Sequence, residues 1–143
     1  MIFLDAYALI ALLADEPPAA EVERLLRAER CAMTAVNLAE SVDVALRVGG
    51  VPRAEVETVV GGLTHSGVIA VVEVAEDGGW RAAAVRAAHY APRRSELSLA
   101  DCFLVAAAGV DDAVATADVP VATAARAEGI RVIALAASSG VRP

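Results

Sequence analysis

Short apolar runs alternate along this chain with longer stretches whose apolar positions recur every three or four residues. Ile2-Phe3-Leu4 is an apolar run closed by Asp5, which suits a buried strand. Residues 6–14 continue apolar and alanine-rich until Asp15-Glu16-Pro17-Pro18 breaks them. Over 19–30, Val22, Leu25 and Leu26 recur at helical spacing, with Glu21, Glu23, Arg24 and Arg27 between them. Thr34 can cap a helix over 35–47, closed by Gly49-Gly50. Pro52 suits a first helical turn and opens a helix to about residue 63. Gly67 leads into residues 68–72, the clearest strand. Asp77 can cap a helix reaching about Tyr90, and Pro92 ends it. Ser98-Leu99-Ala100-Asp101 has the spacing of a capping box, with Asp in place of Glu or Gln, and opens a helix to about Ala108. Residues 113–116 form a short strand. Asp118 precedes a helix that Gly129 ends, and residues 131–135 are the last strand.

Strands alternating with helices predict an α/β fold whose parallel sheet is covered on both faces. Ligands of such sheets sit outside the carboxyl ends of the strands. Asp5 ends the first strand and Asp118 lies just past the strand at 113–116, so both should face one rim. We expect a single domain over residues 1–137 and a frayed tail over 138–143, with no internal repeat.

Composition narrows the function. The 143 residues are 57% hydrophobic and 22% charged, which excludes disorder. The longest apolar runs, 6–14 and 102–110, fall short of the ~20 residues of a membrane span. No basic segment precedes an apolar one at the N-terminus, so a cytoplasmic location is the expectation. Cys31 and Cys102 have neither metal nor redox spacing and read as buried thiols. All twelve basic residues are arginine. The absence of lysine removes the phosphate-binding loop, Schiff-base chemistry and protein kinases.

Charge is uneven. Residues 1–80 sum to −8 and residues 81–143 to +1, for a net −7. An acidic chain is a poor nonspecific nucleic-acid binder. Even so, Arg81, Arg86, Arg93 and Arg94 cluster with His89 in a stretch that has no acid. This stretch is either a solvated helix face with a polar loop or a contact for a phosphate backbone.

Four acids stand among apolar residues: Asp5, Glu40, Asp101 and Asp118. An unpaired acid is costly to bury. Purely structural roles exist for three of them: Asp118 as an N-cap, Asp101 as the partner of Ser98, and Glu40 as a helix-surface acid. Asp5 has no cap to make. If the four converge, two charges ~4 Å apart repel by about 4 kcal/mol at an effective dielectric near 20. Either some protonate together or a divalent cation sits among them. All-oxygen sites of this kind suit Mg²⁺ or Mn²⁺. His65 and His89 lack ligand spacing and read as surface or loop residues.

The order Leu4-Asp5-Ala6, then Thr34 with Ala39-Glu40, then residues 97–101, then Ala115-Thr116-Ala117-Asp118 resembles the PIN-domain ribonucleases, and within them the VapC-type toxins. The resemblance spans essentially the whole chain. It implies a three-layer α/β/α sandwich around a mostly parallel sheet, and an acidic cluster binding Mg²⁺ or Mn²⁺. It also implies cleavage of RNA, homodimerisation and a cognate VapB-like antitoxin. Asp5, Glu40, Asp101 and Asp118 match the family's acidic positions, and Thr116 matches a hydroxyl residue that often accompanies the last acid. Tyr7 departs from the pattern, standing where a small polar residue is common. Asp43, one turn after Glu40, is outside the motif and reads as solvated surface.

The leading reading is a metal-dependent endoribonuclease, with Arg81, Arg86, Arg93 and Arg94 as weaker candidates for RNA backbone contacts. A phosphoaspartate phosphatase needs a second acid where Tyr7 stands, and a receiver domain needs a lysine. A catalytically weak PIN-like module acting through a protein partner is the alternative. RNA cleavage that depends on Mg²⁺ or Mn²⁺ and is lost in Asp5→Asn separates the two.

Overall fold

The computed structural model describes residues 1–92 and 96–143. Among them, β1 (Ile2–Leu4), α1 (Ala6–Ala14) and α2 (Ala19–Ala28) come first. Next are β2 (Cys31–Thr34), α3 (Ala35–Arg47), α4 (Arg53–His65) and β3 (Ile69–Val72). The chain then forms α5 (Glu76–His89), α6 (Leu99–Ala107), β4 (Ala113–Thr116), α7 (Val119–Ala127) and β5 (Arg131–Ala134). The strands form one sheet in the order β3-β2-β1-β4-β5, and every pairing is parallel. The α/β class and the three layers are as the sequence predicts. No helix among the described residues is long and apolar enough to cross a membrane.

Period-two alternation in the strands explains the layers. Ile2 and Leu4 of β1 pack with Met33, Ile69 and Ala115 against Leu9, Val22, Ala45 and Val56 of α1–α4. Phe3, between them in sequence, points the other way, with Ala32 and Val114, against Val85, Leu104, Val121 and Ala125 of α5–α7. Both faces are therefore apolar, and the strands read as continuous apolar runs. Burial of a side chain such as Leu4 or Leu9 contributes about 1.5–3 kcal/mol.

The sequence reading missed β2. Cys31-Ala32-Met33-Thr34 has one β-branched residue and no polar alternation, because it lies between β1 and β3 with every residue buried. The start of α5 also differs. Its N-cap is Ala75, and Asp77 sits inside the first turn, paired with Arg81 at 3.3 Å. There its charge opposes the helix dipole favourably.

Residues 15–18 break the chain as expected. Asp15 closes α1 with a left-handed backbone (φ 51°), and the Glu16 N–H donates to the Ala11 carbonyl. The segment 138–143, expected to fray, has specific contacts. Ser138 Oγ donates to Glu16 at 2.7 Å, and the Arg142 guanidinium meets both oxygens of Glu21 at 3.2 and 3.0 Å. Both thiols are buried and free, and burial pushes Cys31 up to about 11. His65 bonds its own helix at Gly61, and His89 pairs with Glu128.

Candidate active site at the switch of the sheet

Chain order reverses at β1, with β2 on one side and β4 on the other. The carboxyl ends of β1 and β4 therefore bound a crevice into which both following helices open. A cleft of about 450 Å³ lies there. Asp5, Glu40, Asp101 and Asp118 all line it, although they lie on four separate segments.

Asp5 follows β1 and begins α1 without capping it. It is 5% exposed. Its backbone N–H donates to the Ala115 carbonyl, continuing the β1–β4 ladder one step past Leu4. Its Oδ2 accepts from Thr116 Oγ1 at 2.6 Å. Thr116 Oγ1 in turn accepts from the Asp118 N–H at 2.9 Å, which fixes the direction of its own proton toward Asp5. Burial raises the Asp5 carboxyl to about 7, and the charges of Asp101 and Asp118 add to this against the lowering effect of Thr116.

Asp101 performs the structural role foreseen for it. Its Oδ2 accepts from the Ser98 N–H at 2.6 Å, and Ser98 Oγ accepts from the Asp101 N–H at 3.0 Å. The capping box is complete, and Asp101 still lines the cleft. Cap and cleft are compatible because a carboxylate has about four acceptor sites and the cap uses one. Asp118 likewise caps α7 through a long bond from the Val121 N–H at 3.4 Å, at the exposed rim.

Glu40 is set by the buried side of α3. Thr34 caps that helix through the Asn37 N–H at 3.1 Å. Ser41 Oγ lies 2.7 Å from the Asn37 carbonyl and 3.3 Å from that of Ala6, joining α3 to the start of α1. Asn37 Nδ2 is buried without a partner among the described residues. Glu40 is half-buried and raised, first by desolvation, then by Asp101 and Asp43. Asp118 is raised by desolvation and by Asp101. The Asp101 charge thus acts on all three other carboxylates. Among the described residues, none of the four is in an ion pair with an arginine.

A fifth acid, Glu96, lines the same cleft and was missed in the sequence. It precedes the buried Leu97, and Ser98 on the other side of Leu97 lines the cleft as well. Tyr7 also lines the cleft, its hydroxyl donating to Glu16 at 2.5 Å. Asp43 is exposed and paired with Arg47 at 2.8 Å, the solvated role expected of it.

The arginines fare differently. Arg93 and Arg94 lie outside the described residues. Arg81 is paired with Asp77, and neither it nor Arg86 lines the cleft. Arg86 stands over the Tyr90 ring at 4.3 Å and donates to the Leu97 carbonyl at 2.5 Å. Its guanidinium therefore holds the segment that leads into the Ser98–Asp101 box.

All-oxygen donors without an arginine partner among the described residues, three of them (Asp5, Glu40 and Asp118) raised first by desolvation and further by the Asp101 charge, fit a hard divalent cation such as Mg²⁺ or Mn²⁺. Among the described residues, no three acid, His or Cys side chains already converge on one coordination point. A shared cleft is enough for Mg²⁺, which takes one or two protein carboxylates and keeps several waters.

Similar architecture occurs in solved structures. VapC20 from Mycobacterium tuberculosis, a Sarcin-Ricin loop cleaving toxin, superposes with a TM-score of 0.61 at 23% identity, over 75% of this chain and 80% of that one. FitAcB from Neisseria gonorrhoeae gives 0.60 at 22% identity, over 93% and 96%. At such identities the likeness is one of fold. No curated protein matches the sequence. The sequence profile of the PIN domain matches residues 2–126, a span that includes both strands of the crevice and all four carboxylates. By that match, and with the fold in agreement, the chain belongs to the PIN domain family.

Proposed function

We propose that this PIN domain is a metal-dependent endoribonuclease, the toxin of a toxin–antitoxin pair. One observation supports it most: Asp5, Glu40, Asp101 and Asp118 line one cleft, and among the described residues no arginine neutralises them. Such a set of carboxylates, two of them (Asp5 and Asp101) buried, is strained without a cation.

In this reading the four acids would together bind Mg²⁺ or Mn²⁺, directly or through the ion's waters. When bound, the ion supplies Lewis-acid stabilisation of a phosphodiester and lowers the pKa of a water. The chain's own residues set the stage. Thr116 orients Asp5 by holding one of its carboxylate oxygens. Asp101 keeps its second oxygen for the cleft while the first holds the helix start. Asp118, at the exposed rim, stands where the RNA backbone would enter. The expected partners are an RNA and a VapB-like antitoxin, with a second copy of the chain forming a homodimer. The shared fold of VapC20, a Sarcin-Ricin loop cleaving toxin, supports the toxin part of this reading.

The test is cleavage of RNA by the purified protein with Mg²⁺ or Mn²⁺, with chelator, and in Asp5→Asn. Cleavage that requires the ion and disappears in the variant is expected. Cleavage indifferent to both defeats the metal reading. No cleavage at all, with a protein partner still bound, favours the non-catalytic module.

A further inference from the structure

The nuclease reading uses the acids and leaves the rest of the cleft unexplained. Beside the carboxylates lies an apolar wall formed by Tyr7, Ile10, Val44 and Ala137. Tyr7 and Ile10 are three residues apart on α1, hence on one face. Val44 stands one turn after Glu40 on α3. The helices that follow Asp5 and bear Glu40 therefore also present an apolar side chain to the same space.

Tyr7 is fixed there. Its hydroxyl donates to Glu16 Oε2 at 2.5 Å and lies 3.1 Å from Ser138 Oγ, which donates to the same Glu16 oxygen at 2.7 Å. Three segments meet at that oxygen: α1, the left-handed turn after it, and the chain beyond β5. A ring tethered at its polar end loses little freedom on meeting a flat ligand. An aromatic face beside an anion-and-metal site is the arrangement that suits a nucleotide, with phosphate on one side and base on the other.

We infer that Tyr7 is a stacking platform for the nucleobase adjoining the phosphodiester at the carboxylates, with Ile10, Val44 and Ala137 as its apolar surround. The inference rests on the nuclease reading. It makes Tyr7 a binding residue specific to this chain, at a position where the resembling toxins commonly have a small polar residue. Stacking is sequence-tolerant, because every base has a π-face. The platform therefore favours a single-stranded or looped segment whose base can leave its own stack, without selecting one base.

The experiment is fluorescence anisotropy of a short labelled oligo(A) RNA and of an abasic ribose-phosphate strand of equal length, with Ca²⁺ present. The proteins are the full-length wild type, Tyr7→Ala, Tyr7→Leu and Tyr7→Phe, with Mn²⁺ affinity measured in parallel. Tyr7→Ala and Tyr7→Leu should weaken oligo(A) binding about tenfold, the loss of one base–aromatic stack. Tyr7→Phe should recover most of it, Mn²⁺ affinity should be unchanged, and the abasic strand should bind all four proteins alike. Tyr7→Leu keeps the bulk of the side chain, so a fold defect in Tyr7→Ala leaves the test intact. Equal losses on both strands, or none on oligo(A), overturn the platform while the nuclease reading stands. A wild type that neither binds nor cleaves RNA overturns both.

Discussion

Thr116 Oγ1 donates to Asp5 Oδ2 across 2.6 Å, joining the ends of two neighbouring strands that lie 111 residues apart in sequence. The same hydroxyl accepts from the Asp118 N–H. One buried side chain thus fixes two of the four cleft acids relative to each other.

Thr116→Val keeps the shape and removes both bonds. It should cost about 1–3 kcal/mol, because the Asp118 N–H and an Asp5 oxygen each lose a partner. It also removes the interaction that lowers the Asp5 carboxyl, which should titrate higher than in the wild type. Urea unfolding and Mn²⁺ titration at neutral pH are the checks, and a variant with wild-type stability and metal affinity would contradict the role.

The Asp5 carboxyl stands at about 7 in the fold against an ordinary 3.8. A carboxyl raised in the folded state favours folding in its protonated form. Its contribution is fully present below pH ~4 and disappears as pH rises through about 7. At 1.36 kcal/mol per unit, the metal-free protein should lose on the order of 4 kcal/mol between those limits. Asp5→Asn, neutral throughout, should be more stable than the wild type at pH 8 in chelator and should lack that slope. Unfolding curves at pH 5 and pH 8 decide it. Mn²⁺ needs the ionised form, so its stabilisation of the wild type should be larger at pH 8 than at pH 5.

Asp101 raises Asp5, Glu40 and Asp118 together. In Asp101→Asn each of the three should fall by the part that the Asp101 charge adds to desolvation, their largest cause, and metal affinity should drop at least tenfold. Asparagine can still accept from the Ser98 N–H, so the fold should lose no more than about 1 kcal/mol. Carbon-detected NMR titration reads the three carboxyls directly. Unmoved values would show that the Asp101 charge does not act on them.

Arg86→Met keeps the aliphatic stem and removes the donor to the Leu97 carbonyl. Destabilisation of about 1–3 kcal/mol is expected. The salt dependence of RNA binding should not change, since this guanidinium holds protein and not phosphate. A slope reduced by about 1 would restore Arg86 as a backbone contact.

Much of the frame was written locally. Ser98 and Asp101 announce their own helix start, and Thr34 does the same for α3, because capping is a bond between near neighbours in sequence. Period and punctuation located most of the helices and four of the strands. β2 escaped because Cys31-Ala32-Met33-Thr34 is short and has a single β-branched residue, its place being set by pairing with β1 and β3. Glu96 escaped because what distinguishes it is the cleft it faces, and Arg86 because its partner is a backbone carbonyl eleven positions away.

By itself, then, the sequence determined most of the helices, four of the strands and which acids stand among apolar neighbours. It also determined that no lysine could neutralise those acids. The tertiary structure decided that Asp5, Glu40, Asp101 and Asp118 share a cleft, that Asp5 is buried enough to hold its proton near neutrality, and that Tyr7 and Ser138 meet at Glu16. The physical reason is reach. Propensity and capping act over a few residues, whereas burial and charge repulsion depend on which distant segments the sheet order brings side by side.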